Sequence, residues 1–488
     1  MPSTTQSSNT GSSTTASSTT APRRPGLMLA VLLTGQFMAN VDIAIVNVAG
    51  PSVQEGLHPS GGALELIVSG YPLAYAVLLV TGARLGEARG HRRMFLLGLG
   101  AFTLASLACG LAPSTGALVA ARLAQGAAGA LMVPQVLSGI QIHFTGTARA
   151  RAQGLLAVAL SGGAVAGQVL GGVLVSADVL GLGWRPIFLV NVPVGIVLLA
   201  AGLRLLPADA ATGRARLDLG GVALLSAATL LAMVPLLFGR EEGWPAWTWM
   251  SLLACVPVFA LFVRRQRRVA SPLLDLGVLA RPVVAWTLAA LGAATGTYFA
   301  MLFVLALYVQ QGLGRSALFS GMVLVSWVAA FGIAGPLVPR LPSRLAARLP
   351  VAGYLLLASV YVAVGLTHAD GAALIVLLGF GGLGLGLGFT PQLGRLTANV
   401  PAGHAADLSG LINMNFQLAG VAGVAVFGTL YLGVPGGHGH ALTVVMLGFG
   451  GTALAATAAS FAGHRAARRE AQGSSPARRA AVTASSRV

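Results

Sequence analysis

The sequence contains no lysine; all 30 of its basic residues are arginine. That absence excludes a P-loop nucleoside triphosphatase, whose phosphate-binding loop needs a lysine, and any catalysis through a lysine Schiff base. Acids are scarce as well, 13 in 488 residues, and charged side chains make up only 9% of the chain. A soluble domain carries about 25% charge, so the composition points to an integral membrane protein, in keeping with 55% hydrophobic residues and a mean hydropathy of +0.80. The two cysteines, Cys109 and Cys255, both fall in apolar runs and read as inert packing residues rather than a disulfide. No H-E-x-x-H motif is present, and His438 and His440 lack a third ligand, so neither metal nor cofactor is expected. Arginine without lysine in an alanine- and glycine-rich chain also suggests a GC-rich bacterial genome.

What the chain does have is apolar runs. Scanning for stretches of about 20 apolar residues bounded by Pro, Gly or charge predicts fourteen spans, from 27–48 to 440–462. The least distinct pair flanks "GREEGWPAWTW", residues 239 to 249. The Ser/Thr-rich residues 1–25 and the Arg/Ala/Ser-rich residues 463–488 lack the apolar bulk to pack and are expected to be disordered. The first span is full length with no cleavage site after it, so it does not read as a secretory signal.

Arginine placement orients the spans. With the N-terminus inside and fourteen crossings, the inner loops and tails hold 26 arginines. The outer loops hold Arg185, Arg240 and Arg315, and Arg122 alone lies within a span. The net charge of +17 is therefore a topology signal, with anionic lipid headgroups as its neighbours and no nucleic-acid partner. Both termini are expected inside. Spans one to six (26–206) and nine to fourteen (266–462) form two bundles, with an extra hairpin (207–265) between them. Paired halves of this kind are typical of secondary transporters, which bind substrate between the halves near the midplane.

Polar residues within the spans are the candidates for function. Asp42 sits in the first span with Gln36, Asn40 and Asn47, and a carboxylate at that depth must be protonated, paired or facing a wet cavity. At about 100° per residue, the three amides fall within roughly 40° of one another, whereas Asp42 lies about 140° from Asn47. Either the amides line the substrate path and Asp42 meets another helix, or the reverse; a structural pairing of Asp42 with Arg122 is the simpler alternative. Glu65 sits at the outer mouth of span two, and Asn413 and Gln417 share one face of span thirteen at i, i+4. So few acids suit a bulky substrate of low charge. The alternating glycines of "GGLGLGLGF", residues 381–389, sit in an apolar span and read as helix packing, not as a dinucleotide loop, which needs a preceding strand.

The loop "GARLGEARGHRRMFLLG", residues 82 to 98, resembles the signature loop of the major facilitator superfamily at Leu85, Glu87, Gly90, Arg92 and Arg93. It departs at Ala83, at His91, and in having Glu87 for the family's aspartate. "LVAARLAQGAAGALMVPQ", residues 118 to 135, is similar to the family's span-four motif, with Arg122, Gln125, Gly126 and Gly129. "SGGAVAGQVLGGVL", residues 161 to 174, resembles the antiporter motif at Gly163, Gly167, Gly171 and Gly172, with Gln168 where the motif has proline. "VDIAIVNVAGP" (41–51) and "WRPIFLVNVPVG" (184–195) resemble the fourteen-span drug:proton antiporter branch. The resemblance implies an all-α major facilitator fold and a monomeric, proton-driven exporter of small, largely apolar organic molecules in the bacterial cytoplasmic membrane. Asp42, Arg122 and Glu65 then serve proton coupling, while Gln36, Asn40, Asn47, Asn413 and Gln417 line the substrate cavity. Alternatives are a dedicated exporter of one secondary metabolite or siderophore and a membrane sensor without transport. Gln168 leaves uptake open.

Overall fold

In hydrocarbon every backbone N–H and C=O must be paired within its own segment, so an apolar run of span length folds as a helix. The computed structural model describes residues 24–207, 218–239, 242–269, 281–342, 348–399 and 405–473, with 272, 277 and 345 between them. Fourteen helices long and apolar enough to cross a membrane are present among the described residues. They are α1 (Pro25–Leu57), α2 (Gly61–Arg89), α3 (His91–Gly110), α4 (Thr115–His143), α5 (Gly146–Ser176) and α6 (Pro186–Leu205, with a turn at Val190); then α7 (Leu219–Phe238) and α8 (Ala246–Gln266); then α9 (Pro282–Leu307), α10 (Ala317–Leu337), α11 (Leu349–Thr367), α12 (Gly371–Asn399), α13 (Ala405–Gly433) and α14 (Gly437–Gly473). Among the described residues no strand is found.

Most of the expected limits match to within a few residues. The C-terminal tail differs. Residues 463–473 continue α14 through Arg465, Arg468 and Arg469, because this stretch is rich in helix-favouring Ala, Arg and Glu. Arg465 lies over the Phe461 ring, 4.5 Å from its centroid. The expected tails before residue 24 and after 473, and most of the basic loop at 204–216, lie outside the described residues.

Helices α1–α6 pack among themselves, as do α9–α14, and the α7–α8 hairpin lies against α2 and α13. Small residues let the backbones approach. A Cβ on Gly167 of α5 would sit 2.7 Å from the Val41 carbonyl oxygen of α1. The 381–389 glycines lie inside α12, as expected, where Gly381 and Gly382 accommodate the fully buried Trp327 of α10. Trp327 in turn stacks between Tyr298 of α9 and Tyr361 of α11. The hairpin is tied at its foot by Asp218, which caps α7 through the Gly221 N–H (2.9 Å) and accepts from Arg265 and Gln266 of α8 (2.8 Å each).

The two halves meet along two seams, α5 with α10 and α2 with α13. The α5–α10 seam and the neighbouring contact of α1 with the end of α9 are bonded at the end of the bundle away from Pro25, here called the far end. Gln310 donates to the Val48 carbonyl (2.9 Å), Gln311 to Gln54 (2.9 Å), and the Leu318 N–H to Ser176 Oγ (3.1 Å). At the opposite, arginine-rich end a single residue, Gly90, joins α2 to α3 with φ 97° and ψ 131°. Only glycine adopts that conformation without strain. Gly90→Ala is expected to lower stability by about 1–3 kcal/mol, read as an earlier thermal unfolding of the detergent-purified protein.

Candidate functional site

The rotation of α1 decides where Asp42 goes. Its carboxylate faces α4 and α6 inside the first half and is fully buried. Oδ2 accepts from Arg122 Nη1 at 2.5 Å; Oδ1 accepts from Gln125 Nε2 at 2.7 Å and Asn191 Nδ2 at 2.9 Å. Three donors, two from α4 and one from α6, meet the group. Arg122 spends its other bonds nearby: Nη1 also donates to Gln125 Oε1 (2.7 Å) and Nε to the Ile67 carbonyl of α2 (3.0 Å). The guanidinium lies over the rings of Tyr71 and Phe188, 5.1 and 5.6 Å from their centroids. Gln125 closes the network by donating to Ser106 (2.8 Å) and accepting from Cys109 Sγ (3.6 Å). One group is left over. Arg122 Nη2 is buried with no hydrogen-bond partner among the described residues.

Arg122 is held by α4, whose Gly126 packs against the backbone of Tyr71 on α2 and whose Gly129 meets the Tyr71 hydroxyl. Asn191 enters from the turn in α6 and Ser106 from α3. Sequence reasoning assigned no role to Asn191 or Ser106. The signal was a lone polar residue inside an apolar run, and Asn191 stood in a quoted motif without being given a partner.

The amide stripe faces the other way, as its helical angle requires. Asn47 lines a narrow cleft between the halves with Ile43 and Ser69 on one side and Phe299 and Gln417 on the other. The structure thus brings together Asn47 and Gln417 from opposite halves. It does not bring Gln36, Asn40 or Asn413 to that cleft. Gln36 is buried; Asn40 donates to the Gln36 carbonyl (2.8 Å) with its Cβ side toward Gly163 of α5; Asn413 is exposed on α13.

Glu65, expected at an outer mouth, is fully buried at the far end of the α2–α13 seam. The Thr429 hydroxyl of α13 lies 3.1 and 3.2 Å from its two carboxylate oxygens and 3.2 Å from the Leu236 carbonyl of α7. One hydroxyl therefore joins both halves and the hairpin. Thr429→Val is expected to loosen this junction and to raise, severalfold, the labelling of a cysteine placed at Gln311 by an impermeant maleimide added from the far side.

In the signature loop, Leu85 is half-buried and Glu87 and Arg93 are exposed. Arg92 donates to the Leu203 carbonyl of α6 (2.6 Å), and His91 Nδ1 pairs with Gln135 of α4 (2.7 Å). Arg84 donates to the Pro272 carbonyl beyond the hairpin. Gly163, Gly167 and Gly171 pack on α1, and Gly172 meets Leu318 of α10. With Gln168 in place of proline, α5 runs unbroken from Gly146 to Ser176.

The sequence profile of the Major Facilitator Superfamily matches residues 32–424. The chain belongs to the Major Facilitator Superfamily. Among superfamily members, the probable actinorhodin transporter of Streptomyces coelicolor is 37% identical over 426 residues, covering 85% of this chain and 73% of the relative. The tetracenomycin C resistance and export protein of Streptomyces glaucescens is 34% identical over 419 residues, covering 83% and 76%. The cephamycin export protein of Amycolatopsis lactamdurans is 36% identical over 416 residues, covering 82% and 84%. In fold, the chain resembles a bacterial homologue of the human lysosomal transporter Spinster solved inward-facing and unoccupied, with a TM-score of 0.67, 17% identity, and 91% of this chain and 98% of that one covered. It also resembles the inward-open xylose transporter of E. coli, with a TM-score of 0.60, 12% identity, and 86% and 93% covered. Superfamily membership and the fourteen helices make the chain a multi-pass membrane transporter of a small molecule, not an enzyme.

Proposed function

We propose that the chain is a proton-driven exporter of small, largely apolar organic molecules, antibiotics or drugs among them, that works as a monomer in the bacterial cytoplasmic membrane by alternating access between its halves. The arginine-rich end with both termini is then cytoplasmic, against anionic lipid headgroups, and the far end faces outward. Export is named for two of the relatives and supports the direction; the compounds named for all three support the substrate class. The observation that carries the coupling is the sealed Asp42–Arg122 pair at 2.5 Å.

Arginine cannot shed its charge inside a protein. A proton placed on Asp42 therefore leaves Arg122 uncompensated at a fully buried position, with Nη2 unpartnered among the described residues. Relief requires α4 to move Arg122 toward another acceptor, and α4 is packed on α2, α3 and, more lightly, α1. Protonation at Asp42 thus shifts the packing of the first half, which is the displacement an alternating transporter must make. In the closed-far-end state the pair is intact, so proton loading is assigned to the outward-open state. Asn47 and Gln417 offer neutral hydrogen bonds to a substrate between the halves. Glu65, at the far-end junction, is the second candidate for proton coupling.

The test is the accumulation of a neutral lipophilic dye in drug-hypersensitive bacteria expressing the protein. Lower dye content than in control cells, restored to control level by a proton ionophore, is the expected result. Dye content equal to that of control cells would sink the broad exporter reading and favour a single dedicated substrate.

A further inference from the structure

Hydrogen bonds tie Asp42, directly or through one more residue, to α2, α3, α4 and α6. Arg122 and Gln125 of α4 and Asn191 of α6 meet its carboxylate; Arg122 continues to the Ile67 carbonyl of α2, and Gln125 to Ser106 of α3. Asn191 enters at the turn in α6 and is 2% exposed. On both sides of that turn α6 is pressed onto α3. Leu189 fills the place a Cβ on Gly110 would take, and Gly195 lies against Thr103. Close packing of this kind fixes the backbone at Asn191 and leaves its side-chain amide as the part free to adjust.

The three donors differ in what else they can do. A carboxylate that takes a proton needs an acceptor where it had a donor. Arginine has no acceptor atom, so a proton cannot settle on Oδ2 against Arg122 Nη1. Gln125 has one, but its Oε1 already accepts from Arg122 Nη1 at 2.7 Å while its Nε2 also holds Ser106. Turning that amide over would set its N–H groups against the guanidinium. The Asn191 side chain makes a single hydrogen bond among the described residues, from Nδ2 to Asp42 Oδ1 at 2.9 Å. A half-turn about its Cβ–Cγ bond exchanges Nδ2 and Oδ1 and leaves the shape unchanged. The other charged or titratable groups around this network are Arg122, Tyr71 of α2 and Cys109 of α3. Of the remaining helices packed on α1, α9 carries Tyr298, α6 carries Arg204 in its last turn, and α5 and α10 carry none beyond Arg151.

We propose that Asn191 is the positioning residue for the proton on Asp42: its amide donates to the bare carboxylate and, turned over, accepts from the protonated one. The proposal rests on the reading of Asp42 as the coupling acid. In the step, Oδ1 takes a proton from water and forms an O–H bond. The N–H···O bond from Asn191 is exchanged for an O–H···O bond to it, and no other covalent bond changes. Oδ2 keeps Arg122 and Oδ1 keeps Gln125 throughout. The carboxyl therefore has as many hydrogen bonds loaded as unloaded, and the unbalanced charge of Arg122 is what remains to drive movement. A leucine of similar shape at position 191 serves neither state.

The experiment uses the full-length protein in liposomes, with infrared difference spectra recorded between acid and alkaline pH. Proton-driven dye movement is followed in the same liposomes. Asp42→Asn identifies the C=O band of protonated Asp42 by its loss. Asn191→Leu is expected to move that band to higher frequency, because an O–H without an acceptor leaves a stronger C=O bond. Asn191→Asp sets two carboxyl groups within hydrogen-bond reach, where they share one proton. The pH at which half the acid signal is lost should then rise by about one unit or more. Shifts of this kind in a protein that moves no dye uphold the positioning role while defeating the exporter reading. An unmoved band in Asn191→Leu with only lower thermal stability makes Asn191 an anchor for α6 and overturns the proposal. So does the lack of any acid band that depends on Asp42. Should Asn191→Leu fail to fold, Asn191→Asp decides, and an unmoved midpoint there overturns the proposal equally.

Discussion

Asp42→Asn is expected to abolish energised export while leaving the protein in the membrane. A single proton moving down one pH unit supplies about 1.4 kcal/mol, and its charge crossing 100 mV adds about 2.3 kcal/mol. Together these sustain a dye gradient of a few hundred-fold, and an amide at position 42 cannot carry the proton that delivers them. The dye gradient should therefore collapse to the passive level when compared at equal membrane content of the protein by immunoblot. Downhill exchange of dye across vesicles, which needs no proton, should persist. Retention of a wild-type uphill gradient by Asp42→Asn would show Asp42 to be structural and move the search to Glu65.

The second large effect is on stability, at the partner. Arg122→Leu leaves an ionised carboxylate buried at zero exposure with only Gln125 and Asn191 as donors. Breaking a buried pair from one side costs about 3–5 kcal/mol, so the single variant should unfold earlier and accumulate poorly. The double variant Asp42→Asn, Arg122→Leu removes both charges and is expected to recover most of that loss. Thermal unfolding of the four proteins closes a double-mutant cycle, and a coupling of about 2 kcal/mol or more is expected for groups in direct contact. Additive losses would mean that the pair does not hold the first half together.

How much of this was legible in the sequence depends on the kind of information involved. Span number and limits were readable because a bilayer sets helix length and hydropathy directly. The pairing of Asp42 with Arg122 was at least on offer, since Arg122 is the lone arginine within a span, and the angle between Asp42 and Asn47 correctly required them to face different neighbours. Asn191 and Ser106 were not legible. Neutral polar residues are common in membrane helices, and their partners depend on how α3 and α6 are rotated against α1, which no single-helix pattern encodes. The same holds for Thr429, whose hydroxyl gained meaning only when α2, α7 and α13 met around it. Nor could sequence say which end of the bundle is shut, because both alternating states must be written in one chain.

The far-end closure has an energetic character that follows from its chemistry. Among the described residues, two glutamine amides, a serine hydroxyl and a threonine hydroxyl bonded to the Glu65 carboxylate hold it. Each such bond is worth about 0.5–1.5 kcal/mol net, because water offers nearly equivalent partners once the groups part. Opening thus exchanges protein partners for solvent ones, and the barrier to it rests more on peeling apart the packed glycine faces than on separating charges. Cleft closures built on ion pairs tighten or slacken with ionic strength. In this one the hydrogen-bonded carboxylate of Glu65 is the charge-bearing group, so its opening should respond to pH at that junction.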